Sequence, residues 1–523
     1  MLFVMNYQDF FMGKKITQMG LGLLGRGVQD AEFLVECGAD LVVTDLKSSE
    51  DLEQSVEKIK GRINSILAKN SETDTRCLGT AQFVLGEHRL QDFKDRDLIL
   101  KGAGVPLDSP FIEEARKNKI PIEMDASLFA KLVRDLFDPE RSRGAKLAPG
   151  DTLRQSSGQV TIVGVTGTRG KSTTTMLIYE IVKKALGSRH LGTGESRVFL
   201  AGNIKDKATL PLLKDVKESD YVVLELDSWQ LQGFGESKIS PHISVFTTFY
   251  PDHMNYYGGD MDKYFEDKAN IFRFKNKSEE NILISGEQAL PFIQKFYPEN
   301  AKKAVVARAV AVPKSWRIKL LGEHNCLNIA CAIEAARAMK IDEDIIKNVV
   351  ENFSAAEGRL QFVKEVRGIK IYNDNNSTTP EASIAALKAI DAEFKITNNE
   401  LREWRKIILI MGGADKNLDM SHLTEEIPKY CKAVFLIPGT GTEKLRIRNN
   451  ELGMMEEKTL IHNSYSIIQK APLCKTLDEA VTKAIDSAES GDTVLFSPAF
   501  ASFGLFKNEY DRGEQFLKII DSV

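Results

Sequence analysis

A glycine-rich loop at residues 163–173 constrains the fold of this chain more than any other stretch. An apolar run leads into V-G-V-T-G-T-R-G-K-S-T, and good helix formers follow as far as Ile181. A strand, a glycine loop and a helix that opens with lysine and hydroxyl residues are typical of a nucleoside triphosphate site, in which Lys171 reaches the outer phosphates and Ser172 ligates Mg2+. The loop departs from the plain Walker sequence because Val165 occupies the place of the first glycine. A glycine turn that binds nothing is the alternative.

Length and composition narrow the class of protein. The 523 residues exceed one ordinary core and indicate about three domains. A net charge of -4 and a pI near 6.1 argue against nucleic acid as a partner. No apolar run approaches the ~20 residues that span a bilayer, and the first residues lack the leader of a signal peptide. Six cysteines without a C-x-x-C pair favour reduced thiols, so we expect a cytoplasmic protein that does not contact membranes.

The first segment, residues 1–135, has the pattern of a Rossmann-like nucleotide-binding domain. A strand at residues 15–19 runs into G-L-G-L-L-G at 20–25, and a helix and a second strand follow, ending at Asp45. This spacing is the dinucleotide fingerprint, in which the acidic residue accepts hydrogen bonds from the ribose or the base. NAD is one candidate ligand. The polar tract at residues 47–75 is typical of a helical insertion or a solvated loop.

The second segment begins after a Pro, Gly, Ser and Arg mixture, so we assign residues 136–158 to a linker and 159–355 to a central domain. Glu225 closes a buried strand pattern, where a carboxylate is well placed to hold Mg2+, although it could be an ordinary acid at a strand end. His253 follows the next strand and could equally be a turn residue. The helical pattern around Lys268 taken alone favours a solvated surface lysine.

Two asparagines stand at the start of an alanine-rich helical pattern. Asn325 and Asn328 are three residues apart and share one face of the predicted helix. Their amides could both contact one planar base, or they could be helix caps. The residues themselves leave both alternatives open.

The third segment, residues 356–523, alternates strands with helices and predicts another α/β domain with a mostly parallel sheet. Ligands of such sheets bind at the carboxyl ends of the strands. Lys416 lies in one of those loops and could neutralise an anionic substrate. The polar, glycine-rich loops at this edge are residues 373–380, 412–416, 439–441 and 497–503.

Along nearly its whole length the chain resembles the Mur ligase family, and within it the members that add D-glutamate to UDP-N-acetylmuramoyl-L-alanine. The resemblance implies an N-terminal Rossmann-like UDP-binding domain, a central P-loop ATPase-like domain and a C-terminal Rossmann-like domain. It rests on motifs in the family's order: T-G-T-R-G-K-S-T (166–173), G-N-I (202–204), L-E-L (224–226), D-H-M (252–254), H-N-C-L-N (324–328), G-R (358–359), N-D (373–374), G-G-A-D-K (412–416), and S-P-A-F-A-S-F with F-K-N-E-Y-D-R-G (497–503 and 506–513).

The resemblance also implies a reaction and its partners. ATP phosphorylates the free carboxylate of the UDP-substrate, and the amino group of the incoming amino acid attacks this acyl phosphate. The implied cofactors are ATP and Mg2+, and the implied protein is a cytoplasmic monomer. It would serve peptidoglycan synthesis, and through it cell-wall biogenesis, cell shape and cell division.

Site residues are carried over by motif, as what the resemblance implies. Ser172 and Glu225 would hold one Mg2+, while His253 and Lys268 would serve a second, with Lys268 converted to N6-carboxylysine. The implied catalytic residues are Lys171, Glu225, His253 and Lys268. The ATP contacts are Gly167, Thr168, Gly170, Lys171, Ser172, Thr173, Asn325, Asn328, Arg359 and Asp374. The UDP-substrate contacts are Leu23, Leu24, Asp45, Gly104, Asn203 and His253, so the fingerprint indicates UDP and not NAD. The amino-acid contacts are Thr378, Lys416, Ser502 and Phe503.

Three positions depart from the family pattern. Asn376 replaces a lysine of the amino-acid site, Glu509 occupies an often aromatic position, and Asp227 replaces a common serine. We therefore expect an acidic amino acid as substrate and leave D- and L-glutamate open. The alternatives are an amide ligase that resembles folylpolyglutamate synthase, an L-glutamate-adding variant and, from another class, an NAD-dependent dehydrogenase or an ATP-binding regulatory protein.

Overall fold

The computed structural model describes residues 6–22, 25–69, 78–137, 159–188, 191, 195–204, 207–274, 281–398, 406–455 and 466–523. These described residues form an α/β fold with three β-sheets, which confirms the predicted fold class. The chain divides into a first unit, Met1–Val312 with Leu327–Val349, and a second unit, Pro313–Cys326 with Val350–Val523. The first two sheets belong to the first unit and the third sheet belongs to the second unit. The domain boundaries assigned from the sequence stay predictions.

The first sheet is parallel, with the strand order β3-β2-β1-β4-β5. Gly25 precedes the second helix with a φ of 76°, a left-handed backbone that favours glycine. The fingerprint loop follows the end of β1, and Asp45 is the last residue of β2. Both therefore lie at the carboxyl edge of this parallel sheet. The strands are β1 Lys15–Met19, β2 Asp40–Asp45, β3 Thr80–Leu85, β4 Leu98–Lys101 and β5 Ile122–Glu123. The helices are α1 Tyr7–Phe11, α2 Arg26–Glu36, α3 Glu53–Lys69, α4 Pro110–Lys117 and α5 Asp125–Leu136.

The second sheet is also parallel, with the order β11-β10-β9-β6-β8-β7. Val165 of β6 pairs with Glu225 of β8, so the phosphate loop and this acidic residue leave the sheet side by side. The strands are β6 Thr161–Thr166, β7 Val198–Gly202, β8 Tyr221–Glu225, β9 Ile243–Phe246, β10 Ile282–Gly286 and β11 Val305–Ala307. The helices are α6 Lys171–Gly187, α7 Ser228–Ser237, α8 Met261–Arg273, α9 Leu290–Phe296 and α10 Pro298–Lys303, followed by α11 Glu323–Ala338 and α12 Glu343–Asn352.

The third sheet has the order β12-β13-β16-β14-β15, and only the edge strand β12 among its described strands is antiparallel to its neighbour. The prediction of a mostly parallel sheet is therefore confirmed. The strands are β12 Gln361–Val366, β13 Ile369–Asn373, β14 Ile407–Gly412, β15 Cys431–Ile437 and β16 Thr493–Phe496. The helices are α13 Pro380–Asn398, α14 Ser421–Tyr430, α15 Thr440–Met455, α16 Ser466–Gln469, α17 Leu477–Asp486 and α18 Glu509–Asp521.

One apolar core in the first unit packs the two parallel sheets' helices together. Phe129 and Leu132 of α5 belong to the same buried cluster as Leu231 and Phe234 of α7. Within the predicted insertion at residues 47–75 lies α3, while residues 70–77 and 138–158 are outside the described residues. No helix in the described part of the chain is both long enough and apolar enough to cross a membrane.

Candidate active site

Two glycines give the phosphate loop its shape. Gly167 has a φ of 146°, and a Cβ there would lie 2.0 Å from the Thr247 Oγ1. Gly170 has a φ of 84°, and a Cβ there would lie 2.0 Å from the Asn328 Oδ1. Both positions therefore combine a backbone that L-residues disfavour with a space that excludes a side chain. Because α6 begins at Lys171, the N–H groups of its first turn face the loop and can bind an anion.

Residues that follow β9 hold this loop in place. The Thr168 N–H donates to the Thr248 carbonyl at 2.7 Å, and the Thr168 hydroxyl contacts the Tyr250 backbone at 3.0 and 3.1 Å. The Arg169 N–H donates to the Thr248 hydroxyl at 3.0 Å. The sequence did not single out Thr247 or Thr248, although two threonines directly after a buried parallel strand were a usable signal. Thr173, in the first turn of α6, is buried.

Two lysines converge on one carbonyl of the loop. The Nζ of Lys171 and the Nζ of Lys268 each donate to the Gly167 carbonyl at 3.0 Å. Lys268 is only 1% exposed, so the pattern-based expectation of a surface lysine is wrong. Burial lowers the pKa of Lys268 well below its ordinary range, and the nearby Lys171 acts in the same direction. The spacing of Tyr264, Lys268 and Ile271 (i, i+4, i+7) on a buried face of α8 could have revealed this position.

The two side chains expected to ligate Mg2+, Glu225 and Ser172, lie at the same edge of the sheet. Glu225 is 5% exposed and pairs with Val165 and Gly202 on the neighbouring strands. Ser172 is half-buried in the first turn of α6. No cluster of three or more His, Cys, Asp or Glu in the described residues is arranged to hold a metal alone. A carboxylate and a hydroxyl still fit Mg2+, which commonly completes its shell with water and substrate phosphate oxygens.

His253 is held in a constrained position beside Trp229. Its backbone φ is 54°, and its ring lies 4.8 Å from the Trp229 ring, centroid to centroid. Burial lowers the pKa of His253, while Asp252, whose carboxylate lies 3.7 Å from the His253 Nε2, opposes that effect. A largely neutral imidazole fits either contact with a substrate or ligation of a metal.

The two asparagines of α11 are inside the helix, so the helix-cap alternative is wrong. Asn325 donates through Nδ2 to the Leu321 carbonyl at 2.7 Å, and its side chain is 6% exposed. Asn328 is 5% exposed, packs against Gly170 and accepts at its carbonyl from the Thr174 hydroxyl at 3.3 Å. Asn328 is thereby tied to the phosphate loop and to the first turn of α6.

The fingerprint loop of the first sheet opens into a cavity of about 480 Å³, within the usual size range of a small-molecule site. The Asp45 carboxylate lines it and accepts from the backbone N–H groups of Leu21 at 2.8 Å, Gly22 at 3.2 Å and Lys47 at 2.9 Å. Burial alone would raise the pKa of Asp45, but these donors outweigh it and lower the pKa. Asp45 thus shapes the glycine loop and also lines the cavity.

Of the other residues expected to contact the UDP-substrate, the structure describes Gly104 and Asn203. Gly104 lines the same cavity. Asn203 is half-buried, and its N–H donates to the Glu225 carbonyl at 2.7 Å, which ties the G-N-I motif to β8. Leu23 and Leu24 lie outside the described residues.

The second unit contains two expected nucleotide contacts, Arg359 and Asp374, and the Asp374 carboxyl is buried. Asp374 accepts from the Leu360 N–H at 3.0 Å and from the Ser497 hydroxyl at 2.9 Å. Burial raises the pKa of Asp374 to about 6, against the effect of its hydroxyl donors and of Arg359. Arg359 is exposed, with its Nη1 3.5 Å from the Asn376 carbonyl.

The expected amino-acid residues bring together two of the polar loops. The Lys416 Nζ donates to the Thr378 hydroxyl at 3.1 Å. Ser502 is buried and Phe503 is 65% exposed, at the end of the loop that follows β16. Asn376, at the departing position, donates to the Glu357 carbonyl at 3.1 Å and contacts Gly358, so its amide stabilises the G-R turn.

A fully buried arginine that the sequence interpretation missed links these loops. Arg512 donates from Nε to the Asn375 Oδ1 at 2.6 Å, from Nη2 to the Asn375 carbonyl at 2.8 Å and from Nη1 to the Phe500 carbonyl at 3.1 Å. All three acceptors are neutral, and burial lowers the pKa of Arg512 to about 10, with Glu509 opposing. The sequence shows Arg512 in the last motif, but it does not show that Arg512 binds Asn375 and Phe500.

The Asp227 departure has a structural explanation. Asp227 is the N-cap of α7 and accepts from the Gln230 N–H at 2.7 Å, while the Gln230 side chain accepts from the Asp227 N–H at 3.4 Å. Aspartate and serine are both good N-caps, so the exchange preserves this capping box.

A glycine loop before a helix N-terminus, with a buried carboxylate on the adjacent strand, defines a P-loop nucleotide-binding α/β protein. Residues 165–336 match the Mur ligase middle domain, and residues 358–500 match the Mur ligase glutamate ligase domain. The chain belongs to the Mur ligase family, whose members are ATP-dependent, ADP-forming ligases.

Named relatives extend this similarity over the whole chain. The UDP-N-acetylmuramoylalanine–D-glutamate ligase of Roseiflexus sp. (strain RS-1) is 31% identical over 538 positions, covering 98% of this chain and 99% of the relative. The enzyme of that name from Borreliella afzelii (strain PKo) is 30% identical over 525 positions, with 97% of both chains covered. The crystal structure of UDP-N-acetylmuramate–alanine ligase from Thermotoga maritima is 19% identical, covers 97% of this chain and 99% of its own, and has a TM-score of 0.51, which indicates the same fold.

Proposed function

We propose that this chain adds D-glutamate to UDP-N-acetylmuramoyl-L-alanine, with hydrolysis of ATP to ADP and phosphate, in peptidoglycan precursor synthesis. The observation that carries the proposal is the similarity, at about 30% identity and nearly full length, to relatives named for this reaction. We assign the UDP-substrate to residues 1–135, ATP to 159–355 and the amino acid to 356–523, with 136–158 as linker. We expect a cytoplasmic monomer.

The chemistry requires fixed cations near the phosphate loop. The substrate carboxylate attacks the γ-phosphorus of ATP, ADP leaves, and the amine of the amino acid then attacks the acyl carbon and releases phosphate. Carboxylate and triphosphate together carry much negative charge, which Lys171 and the N-terminus of α6 offset. Mg2+, held by Ser172 and Glu225, would add Lewis-acid stabilisation of the phosphoryl group.

We assign the remaining roles by motif and contact. Gly167, Thr168, Gly170 and Thr173 form the phosphate cradle, and Asn325, Asn328, Arg359 and Asp374 contact the nucleotide. Leu23, Leu24, Asp45, Gly104, Asn203 and His253 contact the UDP-substrate. Thr378, Lys416, Ser502 and Phe503 contact the amino acid, and the pairing of Lys416 with Thr378 supports a site for a carboxylate.

We propose that Lys268 works as N6-carboxylysine together with His253 at a second Mg2+. Two lysine side chains that share the Gly167 carbonyl place like charges together in a buried site, which is unfavourable. Loss of one proton would give the neutral Lys268 amine, and addition of CO2 to that amine with loss of a second proton would give a carbamate, so a positive charge would be replaced with a negative one. The burial of Lys268 and its contact with the phosphate loop support this role.

The main test measures phosphate release from ATP with UDP-N-acetylmuramoyl-L-alanine, in separate reactions with D-glutamate, L-glutamate and neither. We expect release that depends on D-glutamate. Turnover with L-glutamate alone would contradict the stereochemistry, and release that needs no amino acid would contradict the ligase reaction proposed here. Turnover of a folate with glutamate would favour the folylpolyglutamate synthase-like alternative, while oxidation or reduction of NAD would favour the dehydrogenase.

A second test addresses the carbamate. Lys268→Ala should lose most activity and regain part of it in added formate or acetate, because a free carboxylate can occupy the emptied space. Lys263→Ala is the matched control, since Lys263 lies on the same helix with a side chain 74% exposed. Activity of Lys268→Ala equal to that of the control would contradict the carbamate.

A further inference from the structure

Two helices of the first sheet contact the segment of the second sheet that follows β7 and carries the G-N-I motif. Arg26 and Gln29 belong to α2, which begins directly after the fingerprint loop, and Asp125 is the first residue of α5. The Arg26 Nη1 donates to the Gly202 carbonyl at 3.4 Å. The Gln29 Oε1 accepts from the Ala208 N–H at 3.0 Å. The motif segment is thus held by the helix that leaves the fingerprint loop.

Thr209 connects Asp125 to the end of β7. The Thr209 N–H donates to the Asp125 Oδ2 at 3.5 Å, and the Thr209 hydroxyl also bonds the Asp125 carboxyl. The same hydroxyl accepts from the Gly202 N–H at 3.1 Å. A hydroxyl can donate one hydrogen bond while it accepts another, so one side chain joins the carboxyl to the strand end.

Gly202 leads directly to the expected reaction centre. It pairs with Glu225 across β7 and β8, and the N–H of its neighbour Asn203 donates to the Glu225 carbonyl at 2.7 Å. Gly202 has a φ of 89°, and a Cβ there would lie 2.1 Å from the Glu225 carbonyl oxygen. Because close-packed backbone transmits displacement, a shift of Gly202 would move Asn203 as well.

We propose that Asp125 and Thr209 are positioning residues that hold Asn203 at a fixed distance from the fingerprint loop, so that the carboxylate of the UDP-substrate meets the phosphate loop. The inference rests on the proposed function and deepens it. The proposed substrate spans both sheets, because its UDP is assigned to the first sheet and its carboxylate reacts beside Glu225. A link between the two sheets affects the geometry of attack, whereas binding of UDP alone requires only the first sheet.

Direct contact with the substrate is the alternative role for Asp125, whose side chain lines the cavity at the fingerprint loop. Burial raises the pKa of Asp125, whereas Arg26 and the two donors of Thr209 lower it, so these neighbours favour the carboxylate. Thr209 separates the two roles, because it is 0% exposed and does not line that cavity. Loss of its hydroxyl can affect the substrate only through the protein.

The first test compares Thr209→Val, which keeps the shape but removes the hydroxyl, with Thr209→Ser, which keeps the hydroxyl. The measurements are kcat for D-glutamate-dependent phosphate release and the affinity for UDP by calorimetry. Thr209→Val should lower kcat about tenfold, since a misplaced reacting group slows attack. Thr209→Ser should stay within about twofold of wild type, and UDP affinity should be unchanged in both variants.

The second test asks whether Asp125 and Thr209 act as one link. Asp125→Leu should lower kcat about as much as Thr209→Val, whereas Asp125→Asn keeps an acceptor and should recover most of the loss. In the double variant, Asp125→Leu with Thr209→Val, kcat should fall no further than in the slower single variant, because effects within one network are not additive. Glu113→Leu is the control, since Glu113 is an exposed acidic residue in the first turn of α4.

The other outcomes overturn the proposal. Equal kcat in Thr209→Val and Thr209→Ser would mean that the link does not position the substrate. A higher KM for the UDP-substrate with kcat unchanged would indicate a role in binding, and a parallel loss of UDP affinity would indicate a role in stability alone. Losses that multiply in the double variant would show two independent residues.

Hydrogen exchange of the Gly202 and Asn203 N–H groups tests the link without turnover. In the absence of substrates, exchange should be about tenfold faster in Thr209→Val than in Thr209→Ser, as expected for one lost buried hydrogen bond. Equal exchange in the two variants would contradict the link itself. Wild-type protein that shows no D-glutamate-dependent phosphate release would instead contradict the proposed function, and with it the role of the link in that reaction.

Discussion

The phosphate loop and the polar loops of the third sheet are built in different ways. The phosphate loop takes its shape from its own glycines, and it is hydrogen-bonded to residues that follow the neighbouring strand β9. The loops after β13 and β16 are instead joined by Arg512, which is 137 residues from its partner Asn375. A site formed mainly by local backbone is visible as a motif, whereas a site assembled by a distant buried side chain is visible only in the fold.

The largest expected effect tests the backbone side of this comparison. Gly167→Ala would force a Cβ to within 2.0 Å of the Thr247 Oγ1 at a φ of 146°. The loop N–H groups would then move away from the phosphates, and we expect kcat/KM for ATP to fall on the order of 10³-fold. The measurement is steady-state phosphate release.

Gly187→Ala is the matched control, since a Cβ at the end of the same helix would meet nothing within 4 Å. It should retain full activity, because alanine is the better helix former. Similar kcat/KM values for the two variants would mean that the loop tolerates a side chain and that its glycines do not set the site.

The second prediction tests the side-chain half of the comparison. Arg512→Met should leave the Asn375 and Phe500 oxygens without donors, so the amino-acid loops lose their common anchor. We expect KM for D-glutamate to rise about tenfold, with KM for ATP unchanged, and the free energy of unfolding to fall by about 3 kcal/mol. Kinetics at varied D-glutamate and urea titration measure the two effects.

Two further variants separate positioning from bulk stability. Arg512→Lys keeps the positive charge but lacks the planar guanidinium with its several N–H donors. It should recover part of the D-glutamate affinity that Arg512→Met loses. Lys518→Met, at an exposed position of the same helix, should behave as wild type. If all KM values rise together in Arg512→Met, the arginine acts on stability alone.

Much of the architecture follows from the sequence because its signals are local. The strand at 15–19 is confirmed, and the alternation of strands and helices predicted the third sheet. Lys268 is the instructive failure: residue type suggested a surface position, but the buried stripe of α8 includes it. The role of Arg512 depends on partners from other elements, and no single-sequence pattern specifies such pairings.

The third prediction concerns pH. The folded-state pKa of Asp374 is about 6 against an ordinary value of 3.8, so the folded protein binds the extra proton between these values. This contribution to stability is present at low pH and is lost as the pH rises through about 6. Between pH 5 and pH 7.5 it amounts to about 1.4 kcal/mol.

Asp374→Asn isolates that contribution, because the amide can still accept from the Leu360 N–H and donate to the Ser497 hydroxyl. We expect the stability difference between wild type and variant to change by about 1.4 kcal/mol from pH 5 to pH 7.5, with wild type relatively more stable at pH 5. Urea titrations without nucleotide at both pH values measure it. A pH-independent difference would show that the Asp374 carboxyl titrates as it does in the unfolded chain.

The smallest expected effect returns to a local feature, the cap of α7. Asp227→Ser keeps an acceptor for the Gln230 N–H, so the free energy of unfolding should stay within about 0.5 kcal/mol of wild type. Asp227→Ala removes that acceptor and should cost about 1 kcal/mol, measured by urea titration. A serine variant as unstable as the alanine variant would show that the negative charge, and not the cap, is what position 227 supplies to the helix.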